Sequence, residues 1–221
     1  MNIRPPSPPI SSVNSVSNAP NTTTVLKSDT NLKISNTASV MFKAGTPVTF
    51  GGGGYVKTGT LATDTPLYIN YASDRVLFKG GTPVTFTGTI LGNINTVSSG
   101  TLANHTNLYI NYASKRVLFK AGAPVTFTGT ILGNINTVKT GTLAAHTILN
   151  INYASATVLF KEGAPVTFTG TILGNINTVK SGTLAANTTL YINYIRTAVF
   201  AAGRVVTFSG NILNNINPVI G

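Results

Sequence analysis

One short pattern recurs through this chain and constrains it more than any other feature. Gly-x-[Pro/Val]-Val-Thr-Phe ends at Phe50, Phe86, Phe127, Phe168 and Phe208, at intervals of 36, 41, 41 and 40 residues. A Leu-x-Ile pair precedes each: Leu32/Ile34, Leu67/Ile69, Leu108/Ile110, Leu149/Ile151 and Leu190/Ile192. The run Thr-Phe-Thr-Gly-Thr-Ile-Leu-Gly-Asn-Ile-Asn-Thr-Val stands unchanged at 85–97, 126–138 and 167–179. Such identity points to recent duplication, not to separately tuned active sites. A unit of ~40 residues cannot bury a core by itself, so it must lean on neighbouring copies or on other chains.

Inside a unit the apolar period is two. Leu108 and Ile110 alternate with Tyr109 and Asn111, and Val125 and Phe127 alternate with Thr126 and Thr128, which is strand patterning. Gly and Pro in Lys120–Pro124 and the Gly133-Asn134 pair mark turns. Each copy therefore reads as about four short strands, and the fold class as all-β with no helix of useful length. Copy one replaces the hairpin stretch by Gly51–Gly54, so that Phe50 to Gly59 spans 9 residues where Phe86 to Gly100 spans 14. Length changes of this kind fall in loops, which predicts a hairpin excursion at Thr130–Asn136 and its equivalents.

The predicted organisation is an extended arm at 1–22 followed by repeats at 23–59, 60–100, 101–141, 142–182 and 183–221. Three architectures suit such units. An elongated fibre, each unit burying its face in a homotrimer, is preferred. A five-bladed β-propeller is the alternative. A tight β-solenoid is disfavoured because Lys43, Lys79, Lys120 and Lys161 would form a like-charge ladder at the ~4.8 Å strand spacing. Leu108, Ile110, Phe119, Val125 and Phe127 are the candidate core.

The chain has no Cys, which excludes a disulfide framework, thiol catalysis and Cys-ligated metal. Gly, Asn, Thr, Ser or Lys interrupts every apolar run well short of the ~20 residues of a membrane helix. Fifteen Lys and Arg against four acids give +11. The cations are scattered singly and form no basic run, so a solvated surface is the reading and nucleic acid is not the expected partner. The start Met1-Asn-Ile-Arg lacks the apolar stretch of a secretory signal, which predicts a chain that folds in its producer's cytoplasm.

No catalytic set emerges, and no enzyme, cofactor or metal is expected. Asp29, Asp64, His105, His146 and Asn187 fall at one repeat position, each followed by Thr, which reads as turn chemistry ahead of a strand. Gly51–Gly54 lacks the Lys-Ser/Thr and the helix of a phosphate loop. Tyr-x-x-Tyr recurs as Tyr68/Tyr71, Tyr109/Tyr112 and Tyr191/Tyr194; these rings either pack along strands or offer stacking faces to a glycan. The arm, with Ile3, Arg4, Pro5, Pro6, Pro8, Pro9 and Ile10, has the composition of extended chain suited to docking on a partner.

The unit Gly-Thr-Leu-Ala-x-x-Thr-x-Leu-Tyr-Ile-Asn-Tyr, continued by Val-Leu-Phe-Lys-x-Gly-x-Pro-Val-Thr-Phe, resembles the short β-repeats of bacteriophage head-fibre and tail-fibre proteins over roughly residues 23–219. The resemblance implies a trimeric virion appendage on the particle surface, its arm bound to capsid or portal-proximal proteins and its repeats projecting towards the host surface. The competing expectation is an extracellular repeat lectin or adhesin that binds glycans as a propeller.

Overall fold

The computed structural model describes residues 21–71, 74–112, 115–132 and 135–221. In copy three, the strands are Thr106–Tyr109, Arg116–Phe119, Pro124–Leu132 and Ile135–Thr142. The first two pair as a small hairpin, with Leu108 opposite Val117. The last two join one antiparallel sheet of ten strands that runs through all five copies in chain order. Five small hairpins therefore punctuate one continuous sheet. Proline opens the sheet strands at Pro47, Pro83, Pro124 and Pro165, a position where the missing N–H is tolerated.

The sheet is open. Thr23–Val25 pairs only with Pro47–Phe50 at one end, and Val205–Thr207 pairs with Ile176–Thr183 at the other. A propeller needs separate blades closed into a ring, so that alternative is set aside. The described residues contain no α-helix, only a 3-10 turn at Gly52–Gly54 where copy one is shortened.

A single apolar cluster runs the length of the molecule and draws on both the sheet and the hairpins. Leu108, Ile110, Phe119, Val125 and Phe127 are 1%, 2%, 0%, 1% and 5% exposed within the one chain. Neighbouring copies thus supply the burial that the sequence assigned to a trimer. The like-charge ladder is also looser than expected. Each copy adds two strands to the sheet, so equivalent lysines stand roughly 10 Å apart, about a Debye length at physiological salt.

Two devices hold the array together. The first is a ring on a glycine. A Cβ added at Gly59, Gly100, Gly141 or Gly182 would lie 2.6 Å from the Cδ1 of Phe42, Phe78, Phe119 or Phe160 respectively. Each ring is at most 1% exposed, and each phenylalanine bridges the leucine two residues past that glycine, as Phe119 does Leu143. In this Gly-Thr-Leu motif glycine is needed for close approach, not for an unusual dihedral.

The second device is a buried asparagine. The long hairpins bulge at Gly88, Gly129 and Gly170, whose φ values are 80°, 77° and 79°. The freed N–H of each donates to Asn95, Asn136 or Asn177 Oδ1 at 3.2 Å. Asn95 Nδ2 then donates to Ile34 O of the preceding copy at 2.9 Å, and Asn217 Nδ2 to Ile151 O at 2.7 Å. Asn136 and Asn177 hold the same station with buried Nδ2 atoms that find no acceptor.

Candidate functional site

The small hairpins carry the six tyrosines singled out in the sequence; the structure sorts five of them into two roles and leaves the sixth, Tyr191, exposed opposite Thr197. Tyr68 and Tyr109 end first hairpin strands, directly opposite Arg75 and Arg116. The guanidinium carbon of Arg75 lies 4.4 Å from the Tyr68 ring centroid, and that of Arg116 lies 4.1 Å from Tyr109. Each arginine also donates to the phenol oxygen. That hydrogen bond is the largest cause holding the Arg116 pKa above its usual value. One face of each ring is therefore taken by a cation.

Tyr71, Tyr112 and Tyr194 do something else. Their hydroxyls donate to Thr89 O, Thr130 O and Asn211 O at 3.4, 3.4 and 3.0 Å, tying each small hairpin to the long hairpin of its own copy. Copy four has Asn150 opposite Thr157 in place of the Tyr–Arg pair. Lys115 Nζ reaches Asn150 Oδ1 at 3.0 Å, and burial lowers the pKa of that lysine. The six tyrosines thus do not form one uninterrupted stacking platform.

In the copies that carry Asp or Asn, the Asp/His/Asn position is a strut. Asp29 Oδ1 accepts from Ala44 N, Asp64 Oδ1 from Gly80 N, and Asn187 Oδ1 from Ala202 N, at 2.7 to 2.9 Å. These bonds clip the entry of a small hairpin to the turn after it. The Thr that follows donates to the carbonyl two residues back, as Thr65 does to Thr63 and Thr106 to Asn104. His146 lies 3.6 Å from Glu162 at the surface. Among the described residues no group of three metal-ligating side chains comes together, and no helix is long and apolar enough to cross a membrane.

No protein-family model, curated protein or solved structure matches this chain. The site has therefore to be read from its own surfaces.

Two features escaped the sequence reading. One is the asparagine set at 70, 95, 111, 136, 152, 177 and 217, all at most 8% exposed. Asn is a turn former by composition; Asn70, Asn111 and Asn152 do sit in the small-hairpin turns, and only the bulge shows why Asn95, Asn136, Asn177 and Asn217 are buried. The other is a row of exposed leucines near the long-hairpin ends: Leu91, Leu132 and Leu173 at 61% and Leu213 at 55%. The sequence placed a hairpin excursion there but did not show that its leucines face outwards. The anchoring candidates Ile3, Arg4, Pro5, Pro6, Pro8, Pro9 and Ile10 lie outside the described residues. Asn21 N donates to Phe50 O and Phe50 N to Thr22 O, so the sheet already includes two residues assigned to the arm.

Proposed function

We propose that this chain is a non-catalytic structural protein of a virion, a head fibre or capsid-decorating appendage held by its N-terminal arm and self-associating as a homotrimer. The observation that carries the reading is the leucine row on an elongated open array. Leu91, Leu132 and Leu173 lie within 85–97, 126–138 and 167–179, stretches without a single ionisable side chain in a chain of net charge +11. Charge repulsion between copies of a basic protein is weakest along such a face. Apolar groups spaced at the copy period meet their equivalents when identical chains lie in parallel register. The number three, and the capsid as the arm's partner, follow the resemblance of the repeats to phage fibres.

The arm is tested by removing residues 1–20, which leaves the bonded Asn21 and Thr22 in place. The shortened chain is expected to fold and to self-associate as the full chain does, yet to fail to join the particle. Normal incorporation would place the attachment surface in the repeats and remove the anchoring role.

A further inference from the structure

The outer face of the ten-stranded sheet, turned away from the small hairpins, carries an unbroken row of hydroxyls. Thr23 stands opposite Thr49, Thr49 opposite Thr58, and the pairing continues rung by rung through Thr126 and Thr140 to Thr207. Every one of the ten strands contributes a Thr or Ser to this row. Their neighbours along each strand, such as Val48 and Phe50 or Val125 and Phe127, are buried in the core, while the row itself is half-buried or exposed. At ~4.8 Å per strand the hydroxyls extend roughly 43 Å along the array. Lysines flank them. Lys57, Lys139 and Lys180 share one repeat position, the extra residue of a bulge, which copy two fills with Ser98. Lys57 borders a shallow depression with Thr23, Thr49 and Thr58, and Lys139 and Lys180 border another with Thr167 and Thr169. Lys180 is fixed there by its Nζ, which donates to Phe208 O and Ser209 O at 2.8 and 3.1 Å. All four acids of the chain lie elsewhere. Asp29 and Asp64 clip turns, Asp74 accepts from Asn70 in a small hairpin, and Glu162 stands beside His146.

We propose that this face binds a linear, carboxylate-bearing polysaccharide laid along the array. The lysine ammoniums pair with its carboxylates. The Thr and Ser hydroxyls, each both donor and acceptor, exchange hydrogen bonds with the sugar hydroxyls. Charge selects an anion: the face holds three lysines and no acid, and the arm, with Arg4 and no acid, supplies no counter-charge. A second copy laid on this face would set lysines against lysines. A nucleic acid fits less well, because the described arginines that could fork onto phosphates are placed elsewhere. Arg75 and Arg116 lie on tyrosines and Arg204 on Phe200, and Arg196 sits in the turn of the last small hairpin. The spacing favours an extended polymer. Lysines one copy apart, as Lys139 and Lys180 are, stand roughly 10 Å from each other, which suits carboxylates on alternate sugars rather than on every one. The surface is distinct from the tyrosines of the small-hairpin layer, and this inference does not rest on the virion reading.

The probe is a fluorescein-labelled hyaluronan oligosaccharide, titrated against the full chain at low ionic strength and read by fluorescence anisotropy. Labelled dextran and oligo(dT) of similar length serve as comparisons. Saturable binding of hyaluronan is expected, with none of dextran and weaker binding of oligo(dT). Lys57→Ser with Lys139→Ser installs the residue that copy two already carries and should weaken binding by about fivefold or more. Thr85→Val, Thr126→Val and Thr167→Val together keep the branched shape, remove three hydroxyls and should weaken it by about as much. Lys43→Ser with Lys120→Ser removes the same charge from exposed turn positions and should leave binding within about twofold. Absence of binding, equal losses from the two lysine pairs, or indifference to the valine set each overturns the proposal. Tighter binding of oligo(dT) than of hyaluronan overturns it in favour of a nucleic acid.

Discussion

Replacing Gly141 by alanine tests the ring-on-glycine joint directly. The new methyl group would lie 2.6 Å from Phe119 Cδ1 and 2.7 Å from Cε1. Comfortable carbon contacts start near 3.5 Å, so the ring must withdraw by about 1 Å. Phe119 is fully buried and its backbone bridges Leu143, so it has little room to retreat. Overpacking of this kind costs about 1–3 kcal/mol, while alanine recovers about 0.5–1 kcal/mol of the backbone entropy that glycine loses in a strand. Strain outweighs the gain, leaving a net loss of about 1 kcal/mol, or a urea midpoint lower by about 0.5 M at a slope near 2 kcal/mol/M. The assay is urea unfolding followed by circular dichroism, with Thr24→Ala as reference because Thr24 stands opposite Val48 as Gly141 does opposite Val166 but already carries a side chain; it should change stability by less than about 0.5 kcal/mol. Combining Gly141→Ala with Phe119→Leu should cost about 1 kcal/mol less than the sum of the two, since the smaller side chain relieves the clash. Strict additivity, or a Gly141→Ala loss no larger than that of Thr24→Ala, would falsify the joint.

Exchanging Leu91, Leu132 and Leu173 together for serine should leave the melting temperature of the isolated chain within a few degrees, because these side chains are already exposed, yet reduce the sedimentation coefficient if the row joins copies; an unchanged coefficient removes the seam. Asn95→Ala breaks bonds to Gly88 N and Ile34 O and should cost about 2–3 kcal/mol in denaturant melts, whereas Asn136→Ala, whose Nδ2 is already unsatisfied, should cost about 1 kcal/mol less. Arg116→Ala removes a surface stacking and hydrogen-bonding contact and should change stability by less than about 1 kcal/mol. A larger loss would mean that the Tyr–Arg pair carries structural weight.

The strands and turns were legible because alternation and Gly/Pro punctuation are local properties, repeated until accident is excluded. Leu108, Val125 and Phe127 could be assigned to a core from their spacing alone. How the copies joined was not legible. A four-stranded unit can be a blade, a bead or part of a shared sheet. The choice was settled by long-range pairs such as Gly141 with Val166, which alternation within one unit cannot reveal. The lysine ladder misled for a related reason: one strand per copy was assumed where the sheet takes two. The tyrosines were found by repetition, but their division into stacked and tethering sets depends on whether arginine or a long-hairpin carbonyl lies opposite, which is tertiary information. The buried asparagines were hidden by their own chemistry, since a bulge glycine leaves no mark in composition that distinguishes it from a turn.

The sheet adds its strands along the direction in which the copies succeed one another, so its backbone hydrogen bonds lie roughly parallel to the long axis. A load applied between the two ends peels strands one pair at a time instead of shearing many together. Each 41-residue copy contributes about 10 Å of folded length, yet releases roughly 140 Å of extended chain when it opens. Pulled from its ends, such an array is expected to yield in steps and to re-form from its neighbours, as an extensible tether does and a rigid rod does not.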